Sequence, residues 1–117
     1  MIKIYHNPRC SKSREALAMV EQYCRHYEMS LEIIEYMETP QTQAQLAELL
    51  EQLGAPAGTM VRENEDEYKA MGLSQADDET VLKAIAACPR LLQRPIVVYR
   101  GKAVIARPPE KLHDFLR

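Results

Sequence analysis

Cysteines are few in this chain, and long hydrophobic runs are absent. Its three cysteines, Cys10, Cys24 and Cys88, are an odd number among 117 residues, which does not suit a secreted domain held together by disulfides. No apolar stretch approaches the ~20 residues of a membrane-spanning helix, and the N-terminal residues lack the pattern of a secretion signal. We therefore expect a cytoplasmic protein with no membrane association.

An excess of charge of one sign is lacking as well. The formal net charge is −2, which gives no general attraction for nucleic acid or for an anionic membrane. The cysteines and histidines do not form the paired motifs of a zinc site. We expect neither a nucleic-acid partner nor a bound metal, and any anion-binding site must come from arginines that cluster locally.

The N-terminal third predicts a β-α-β unit. Residues 1–5 alternate as a strand, an apolar spacing of three and four from Ser13 predicts a helix that reaches Tyr27, and residues 31–36 return to strand character. The helix should bury one stripe of side chains, made of Leu17, Val20, Cys24 and Tyr27. Such a unit implies two parallel strands joined by a right-handed crossover.

The middle third is helical. Thr42 and Gln45 match the capping box that begins a helix, and Gly54 supplies its end. A short helix is predicted over residues 63–71, and Asp77 opens another one. The inward-facing residues of that last helix should be Val81, Leu82 and Ile85.

The last third predicts a β-hairpin followed by a helix. Residues 96–99 form an apolar strand, Arg100-Gly101 forms a two-residue turn, and residues 103–105 form the returning strand. A final helix starts at Pro108-Pro109-Glu110. The order of elements predicts one α/β domain over residues 1–117, a thioredoxin-like fold with a mixed four-stranded sheet and a helical insertion at about residues 40–90.

Cys10 lies where the first predicted strand ends and the first helix begins. The free N–H groups and the positive dipole end of a helix N-terminus favour a thiolate, and the thiolate is the reactive form of cysteine. His6 lies four residues upstream, and several arginines and lysines surround the same loop. We expect Cys10 to be a nucleophile, although a small buried side chain is the commoner role of a free cysteine.

Cys10 has no second thiol within its motif. Position 13 is a serine, so the sequence reads Cys-x-x-Ser, and an oxidised Cys10 must be resolved by a thiol from a small molecule or a partner protein. Cys24 follows fourteen residues later on the same helix, roughly 21 Å away, whereas a disulfide needs Cα atoms within about 7 Å. We expect Cys24 and Cys88 to be packing residues.

Two arginines should meet at one end of the predicted hairpin. Arg94 precedes Pro95 at the start of the first strand, and Arg107 precedes Pro108 after the second. A following proline favours an extended conformation for each arginine. Such a pair could bind an oxyanion through bidentate hydrogen bonds. Each could equally be a solvated surface charge, as could Arg62 in the helical block.

Four separated motifs resemble the glutaredoxin-coupled arsenate reductases of the ArsC type. They are His6-Asn7-Pro8-x-Cys10-x-x-Ser13-Arg14, Val61-Arg62, Gln93-Arg94-Pro95-Ile96-Val97 and Arg107-Pro108-Pro109-Glu110. The resemblance covers essentially the whole chain and implies that Cys10 is the nucleophile, that His6 lowers its pKa and that Ser13 supports the thiolate. The other site residues that it implies are Arg62, Arg94 and Arg107 as oxyanion ligands, Asn7 as a structural residue and Pro95 as a cis-proline.

The reaction implied by this resemblance is arsenate reduction. The Cys10 thiolate attacks As(V) while arginines neutralise the oxyanion, glutathione attacks the adduct, glutaredoxin removes glutathione from Cys10, and arsenite leaves. Glutathione is then the reducing co-substrate, and no cofactor is bound. The expected partners are arsenate or a similar oxyanion, glutathione and glutaredoxin, and we expect a monomer.

The chain departs from the family pattern beside the nucleophile. The best-known members have Gly-Thr between cysteine and serine, where this chain has Ser11-Lys12. Two alternatives stay open: a glutathione-linked thiol oxidoreductase with another substrate, and an Spx-like regulator that binds RNA polymerase, although Ser13 removes the Cys-x-x-Cys switch of that class. Phosphatase-like arsenate reductases carry Cys-x5-Arg and are excluded, because the sixth residue after Cys10 is Ala16.

Overall fold

The computed structural model describes all residues 1–117 and divides them into two compact units. The first unit comprises Met1–Tyr36 and Arg94–Arg117, and the second comprises Met37–Gln93. The helical insertion predicted at about residues 40–90 falls within the range of the second unit. None of the helices combines the length and the apolar character that crossing a membrane would require.

The first unit contains a mixed four-stranded sheet. Its strands are β1 (Ile2–His6), β2 (Leu31–Glu35), β3 (Ile96–Tyr99) and β4 (Lys102–Ile105), in the order β2-β1-β3-β4. β1 pairs parallel with β2 and antiparallel with β3, and β3 pairs antiparallel with β4. This is the thioredoxin-like α/β fold that the sequence predicts.

Helix α1 (Ser11–His26) connects the parallel strands β1 and β2. It begins two residues before the change of period at Ser13, and its buried residues are Ser13, Ala16, Val20 and Cys24. The prediction that Tyr27 belongs to the buried stripe was wrong, because Tyr27 is 58% exposed. Tyr27 follows the last helical residue and has non-helical torsion angles, φ −102° and ψ 9°. Its side chain therefore does not continue the row of buried side chains on α1.

The core of the first unit joins the sheet to α1 and to the C-terminal segment. In that segment a short 3₁₀ turn, Pro109–Lys111, precedes the four-residue helix α5 (Leu112–Phe115). The buried cluster comprises Ile2, Ile4, Ala16, Val20, Cys24, Val97, Tyr99, Ala106, Leu112 and Leu116. Each large apolar side chain buried there contributes about 1.5–3 kcal/mol, so the cluster fixes the start of α1 relative to the strand ends.

The hairpin of the first unit turns at Arg100-Gly101, as the sequence predicts. Both turn residues have positive φ, 56° at Arg100 and 75° at Gly101, and a two-residue turn of this kind matches the twist of the flanking strands. The peptide bond before Pro95 is cis, as the family resemblance implies, and the one before Pro108 is also cis.

The second unit contains helices α2 (Gln43–Leu53), α3 (Asp66–Ala70) and α4 (Asp78–Ala87). The predicted capping box of α2 is confirmed: the Gln45 N–H donates to Thr42 Oγ1 at 3.1 Å, and the Thr42 N–H donates to Gln45 Oε1 at 2.8 Å. α3 is shorter than the predicted range 63–71, because residue 65 is still extended. The buried residues of α4 are the predicted ones, Val81, Leu82 and Ile85.

Candidate active site

Cys10 is the N-cap residue of α1 and is half-buried. The loop before it is held by its own hydrogen bonds: the Cys10 N–H donates to the Asn7 carbonyl at 3.0 Å, and the Arg9 N–H donates to Asn7 Oδ1 at 3.0 Å. Arg14 reaches back from the helix and donates to the Pro8 carbonyl at 2.9 Å. The sulfur is therefore held at the helix N-terminus and stays accessible to a reactant.

Opposing influences set the acidity of Cys10. Burial raises the pKa of the thiol, but the Ser13 backbone N–H, the Arg94 guanidinium and the Lys12 backbone N–H lower it by more, so its pKa lies below the ordinary value. The thiol itself makes no capping hydrogen bond, which leaves the N–H groups of the first helical turn free for the thiolate. The helix start and one arginine thus favour the nucleophilic form.

His6 and Ser13 form a buried pair behind the loop. His6 Nδ1 lies 2.7 Å from Ser13 Oγ, and the Asn7 N–H donates to the same oxygen at 3.0 Å. Burial lowers the pKa of His6, which favours the neutral imidazole. We infer that His6 acts on Cys10 through Ser13, whose hydroxyl it fixes and whose backbone N–H favours the thiolate, and not as a cation.

Arg94 and Arg107 lie side by side at the open end of the hairpin. Arg107 Nη1 donates to the Arg94 carbonyl at 3.4 Å, which confirms that the two residues share one hairpin end. Arg94 is half-buried and acts on the Cys10 sulfur, whereas Arg107 is exposed. The first unit therefore brings two of the three predicted oxyanion ligands together.

Arg62, the third predicted ligand, lies in the second unit and is already paired. Its Nη1 contacts Glu65 Oε1 at 2.7 Å, and Arg90 contacts the other oxygen of Glu65 at 3.1 Å. Arg90 also contacts Glu67 at 3.3 Å. The sequence analysis did not identify Glu65 as a partner of Arg62, although the spacing of three residues between them is a signal for such a pair.

The other two thiols are in environments that suppress ionisation. Cys24 is buried in the core of the first unit, and burial raises its pKa. Cys88 donates a hydrogen bond to Glu67 Oε2 at 3.5 Å, and burial followed by this carboxylate raises its pKa. All three cysteines are free, and only Cys10 combines access with a lowered pKa.

Four residues beyond the strand ends form what we call the edge row: Tyr36, Asn7, Arg94 and Arg107. His6 pairs with Glu35, so the next positions along the parallel strands are Asn7 and Tyr36. Continuing the antiparallel registers in the same way places Arg94 between Asn7 and Arg107. The sequence analysis missed Tyr36, because only the register between β1 and β2 reveals that it ends beside the Cys10 loop.

Comparison with known proteins matches this chain to arsenate reductases over almost its whole length. The model of the ArsC family matches residues 5–115. An arsenate reductase of Neisseria meningitidis is 42% identical over 98% of this chain and 97% of its own length, and the uncharacterized protein YfgD of Escherichia coli is 44% identical over 98% and 96%.

Solved structures give the same result. The structure of an arsenate reductase from Vibrio cholerae has a TM-score of 0.87 and 40% identity, and the match covers 97% of this chain and 95% of that one. The matched region includes the loop of Cys10, the hairpin and the helical second unit, because residues 5–115 contain all three. The chain therefore belongs to the ArsC family.

Proposed function

We propose that this chain is a cytoplasmic arsenate reductase that uses one redox-active cysteine and takes its electrons from glutathione, with glutaredoxin completing the cycle. The observation that carries the proposal is the lowered pKa of the accessible Cys10 beside Arg94 in a chain of the ArsC family. A nucleophilic sulfur beside a guanidinium group suits an oxyanion substrate, because the arginine neutralises the oxygens while the sulfur attacks the central atom.

The reaction follows from a single thiol. The Cys10 thiolate attacks arsenic, an arsenate oxygen leaves as water, and an S–As bond forms. A glutathione thiolate then attacks the Cys10 sulfur, the electron pair of the S–As bond stays on arsenic, and arsenite leaves. Cys10 remains as a mixed disulfide with glutathione. A glutaredoxin thiolate attacks the glutathione sulfur of that disulfide and restores the Cys10 thiolate.

The reductant must come from outside the motif because position 13 is a serine. Cys24 is buried in the core on the same helix, and its Cα is roughly 21 Å from that of Cys10 at 1.5 Å per residue. The pKa of Cys88 is raised by burial and by Glu67, which makes it a poor attacking thiol. Glutathione is therefore the proposed co-substrate, and the cycle requires no bound cofactor.

The roles of the arginines differ in this proposal. Arg94 acts on the Cys10 sulfur and carries a buried guanidinium nitrogen, so it is the proposed principal oxyanion ligand. Arg107 is exposed beside it and adds attraction for the incoming anion. Arg62 is kept as the third ligand on the basis of the family motif.

Arsenite formation from arsenate with glutathione and glutaredoxin tests the proposal. We expect wild-type turnover well above background, loss of essentially all of it in Cys10→Ser, and retention in the matched control Cys88→Ser. Omitting glutaredoxin should slow turnover, and omitting glutathione should abolish it. Wild-type turnover no higher than that of Cys10→Ser would refute arsenate reduction.

A second candidate function follows from the loop beside the nucleophile. Lys12 is exposed and contacts Glu15 at 3.6 Å, so the edge of the site carries a cation where the best-known members have threonine. The difference leaves the thiol chemistry of Cys10 intact and bears on the choice of substrate, so the second candidate is a glutathione-linked thiol oxidoreductase with another substrate. Reduction of a glutathione mixed disulfide by a protein that forms no arsenite would establish this alternative.

A further inference from the structure

Two buried side-chain polar atoms have no hydrogen-bond partner, and both belong to residues of the edge row. They are the Tyr36 hydroxyl oxygen and Arg94 Nε. Tyr36 is only 1% exposed, so its hydroxyl does not reach bulk solvent. A buried polar group without a partner costs free energy, and two such groups beside one nucleophile require an explanation.

The surroundings of the Tyr36 hydroxyl place it at the site. The Asn7 side chain and the Arg94 guanidinium lie near enough as donors to lower its pKa, and the Cys10 sulfur is near enough to raise it, but none of these groups meets its oxygen with the distance and angle of a formed hydrogen bond. Tyr36 immediately follows β2 and Arg94 lies two residues before β3, so these groups approach Asn7 from the strands on either side of β1.

Both unpaired groups are hydrogen-bond donors. Burial raises the pKa of Tyr36 to about 12, so its hydroxyl stays protonated, and Arg94 Nε–H can only donate. Two free donors near a nucleophilic sulfur are suited to an acceptor that carries negative charge. The sulfur alone does not accept a hydrogen bond from both of them. An oxygen of an anion whose central atom meets the sulfur is such an acceptor.

We propose that the Tyr36 hydroxyl and Arg94 Nε–H together bind an oxygen of a tetrahedral oxyanion held at Cys10. The identity of that anion as arsenate rests on the proposed function, whereas the donor pair concerns any tetrahedral oxyanion. Tyr36 is then a substrate-binding residue that adds a directed hydrogen bond without adding charge. Its side chain is unsatisfied in the free protein because its partner is the ligand.

Protection of Cys10 from alkylation tests this role without requiring turnover. Iodoacetamide labelling of Cys10, read at the level of the peptide, is followed in the absence of glutathione at increasing arsenate, phosphate or sulfate. For the anion that protects best, Tyr36→Phe should raise the half-protecting concentration about tenfold, since a hydrogen bond to a charged acceptor is lost. The labelling rate of each variant without any anion serves as its own reference.

Tyr99→Phe is the matched control. Tyr99 is also largely buried, but its hydroxyl contacts the Met29 sulfur at 3.9 Å, at the far end of β3. This variant should keep the wild-type half-protecting concentration. Arg94→Lys is a second variant, because it keeps the positive charge and removes the Nε–H. It should raise the half-protecting anion concentration although Tyr36 is unchanged.

Stability separates a ligand-binding role from a structural one. Tyr36→Phe removes an unpaired hydroxyl, so without anion its Tm should equal or exceed that of the wild type, and the anion should raise its Tm less. Equal protection in both proteins, a Tyr36→Phe variant that is destabilised or unfolded, or a wild type that none of the three anions protects would overturn the inference. A wild type that is protected but forms no arsenite would refute arsenate reduction alone.

Discussion

At the scale of single residues, the acidity of Cys10 depends on partners that lie far away in the sequence. Burial alone would raise the pKa of its thiol, and the N–H groups of α1 together with Arg94 reverse the direction. His6, the nearest histidine, is hydrogen-bonded to Ser13, and burial favours its neutral form by lowering its pKa. The charge that helps to hold the thiolate therefore comes from an arginine 84 positions further along the chain.

Removing the Arg94 charge should make Cys10 less acidic. Arg94→Gln removes the guanidinium that lowers the pKa of Cys10, so the pKa should rise and the thiolate fraction at a fixed pH below it should fall. We expect the midpoint of the pH–rate profile of iodoacetamide labelling to shift upward, and labelling at pH 6 to slow several-fold. The matched control is Arg25→Gln, which removes an exposed arginine of α1. An unchanged midpoint in Arg94→Gln would contradict the electrostatic account.

The sequence predicted that Cys10 lies at the N-terminus of a helix and that Arg94 and Arg107 share one hairpin end. It did not reveal that Tyr36 lies beside them. A cysteine between a strand and a helix is a local signal, and the shared hairpin end follows from one turn. The sequence pattern predicts Tyr36 as the last residue of a strand over residues 31–36. Its position beside the Cys10 loop depends on the pairing of His6 with Glu35, which no local pattern determines.

At the scale of elements, the ends of the strands determine which residues meet at the edge of the sheet. β1 and β2 run parallel and end beside each other, and β3 starts at that same edge because it runs antiparallel to β1. Periodicity predicted these strands and the Arg100-Gly101 turn. It failed at Tyr27, since a spacing rule does not indicate where a helix ends.

The hairpin turn should require glycine at position 101 because of its backbone conformation and not because of steric contacts. Gly101 has φ +75°, and a Cβ added there would meet nothing within 4 Å. Gly101→Ala should therefore lower the free energy of unfolding by about 1 kcal/mol through the left-handed conformation only. Gly58→Ala is the control, because Gly58 also has open space but no positive φ. Urea unfolding measures both, and equal effects at the two positions would contradict this explanation.

At the scale of the whole molecule, the formal net charge of −2 does not show which charged side chains form ion pairs. In the second unit Glu65 binds both Arg62 and Arg90, and its side chain is only 17% exposed. The overall composition predicts that any anion binding would need clustered arginines. It could not show that one of the predicted ligands is already bound to a carboxylate.

Neutralising Glu65 should weaken the fold of the second unit. Glu65→Gln keeps a hydrogen-bond acceptor but removes the charge that pairs Arg62 and Arg90, so the free energy of unfolding should fall by about 1–2 kcal/mol.

Glu63→Gln makes the same change of net charge at an exposed position and serves as the control. Urea unfolding of the two variants measures the difference. If both variants lower the free energy of unfolding equally, the effect belongs to the total charge and not to the ion pairs of Glu65 with Arg62 and Arg90.

The edge row has a consequence for how the protein is made. Its four members come from residues 7, 36, 94 and 107, so a ribosome adds the last two long after the first two. When residue 36 has been added, the growing chain already carries the Cys10 sulfur but still lacks the arginine that helps to ionise it. The share of the Cys10 acidity that comes from Arg94 therefore arises only after synthesis has reached the hairpin.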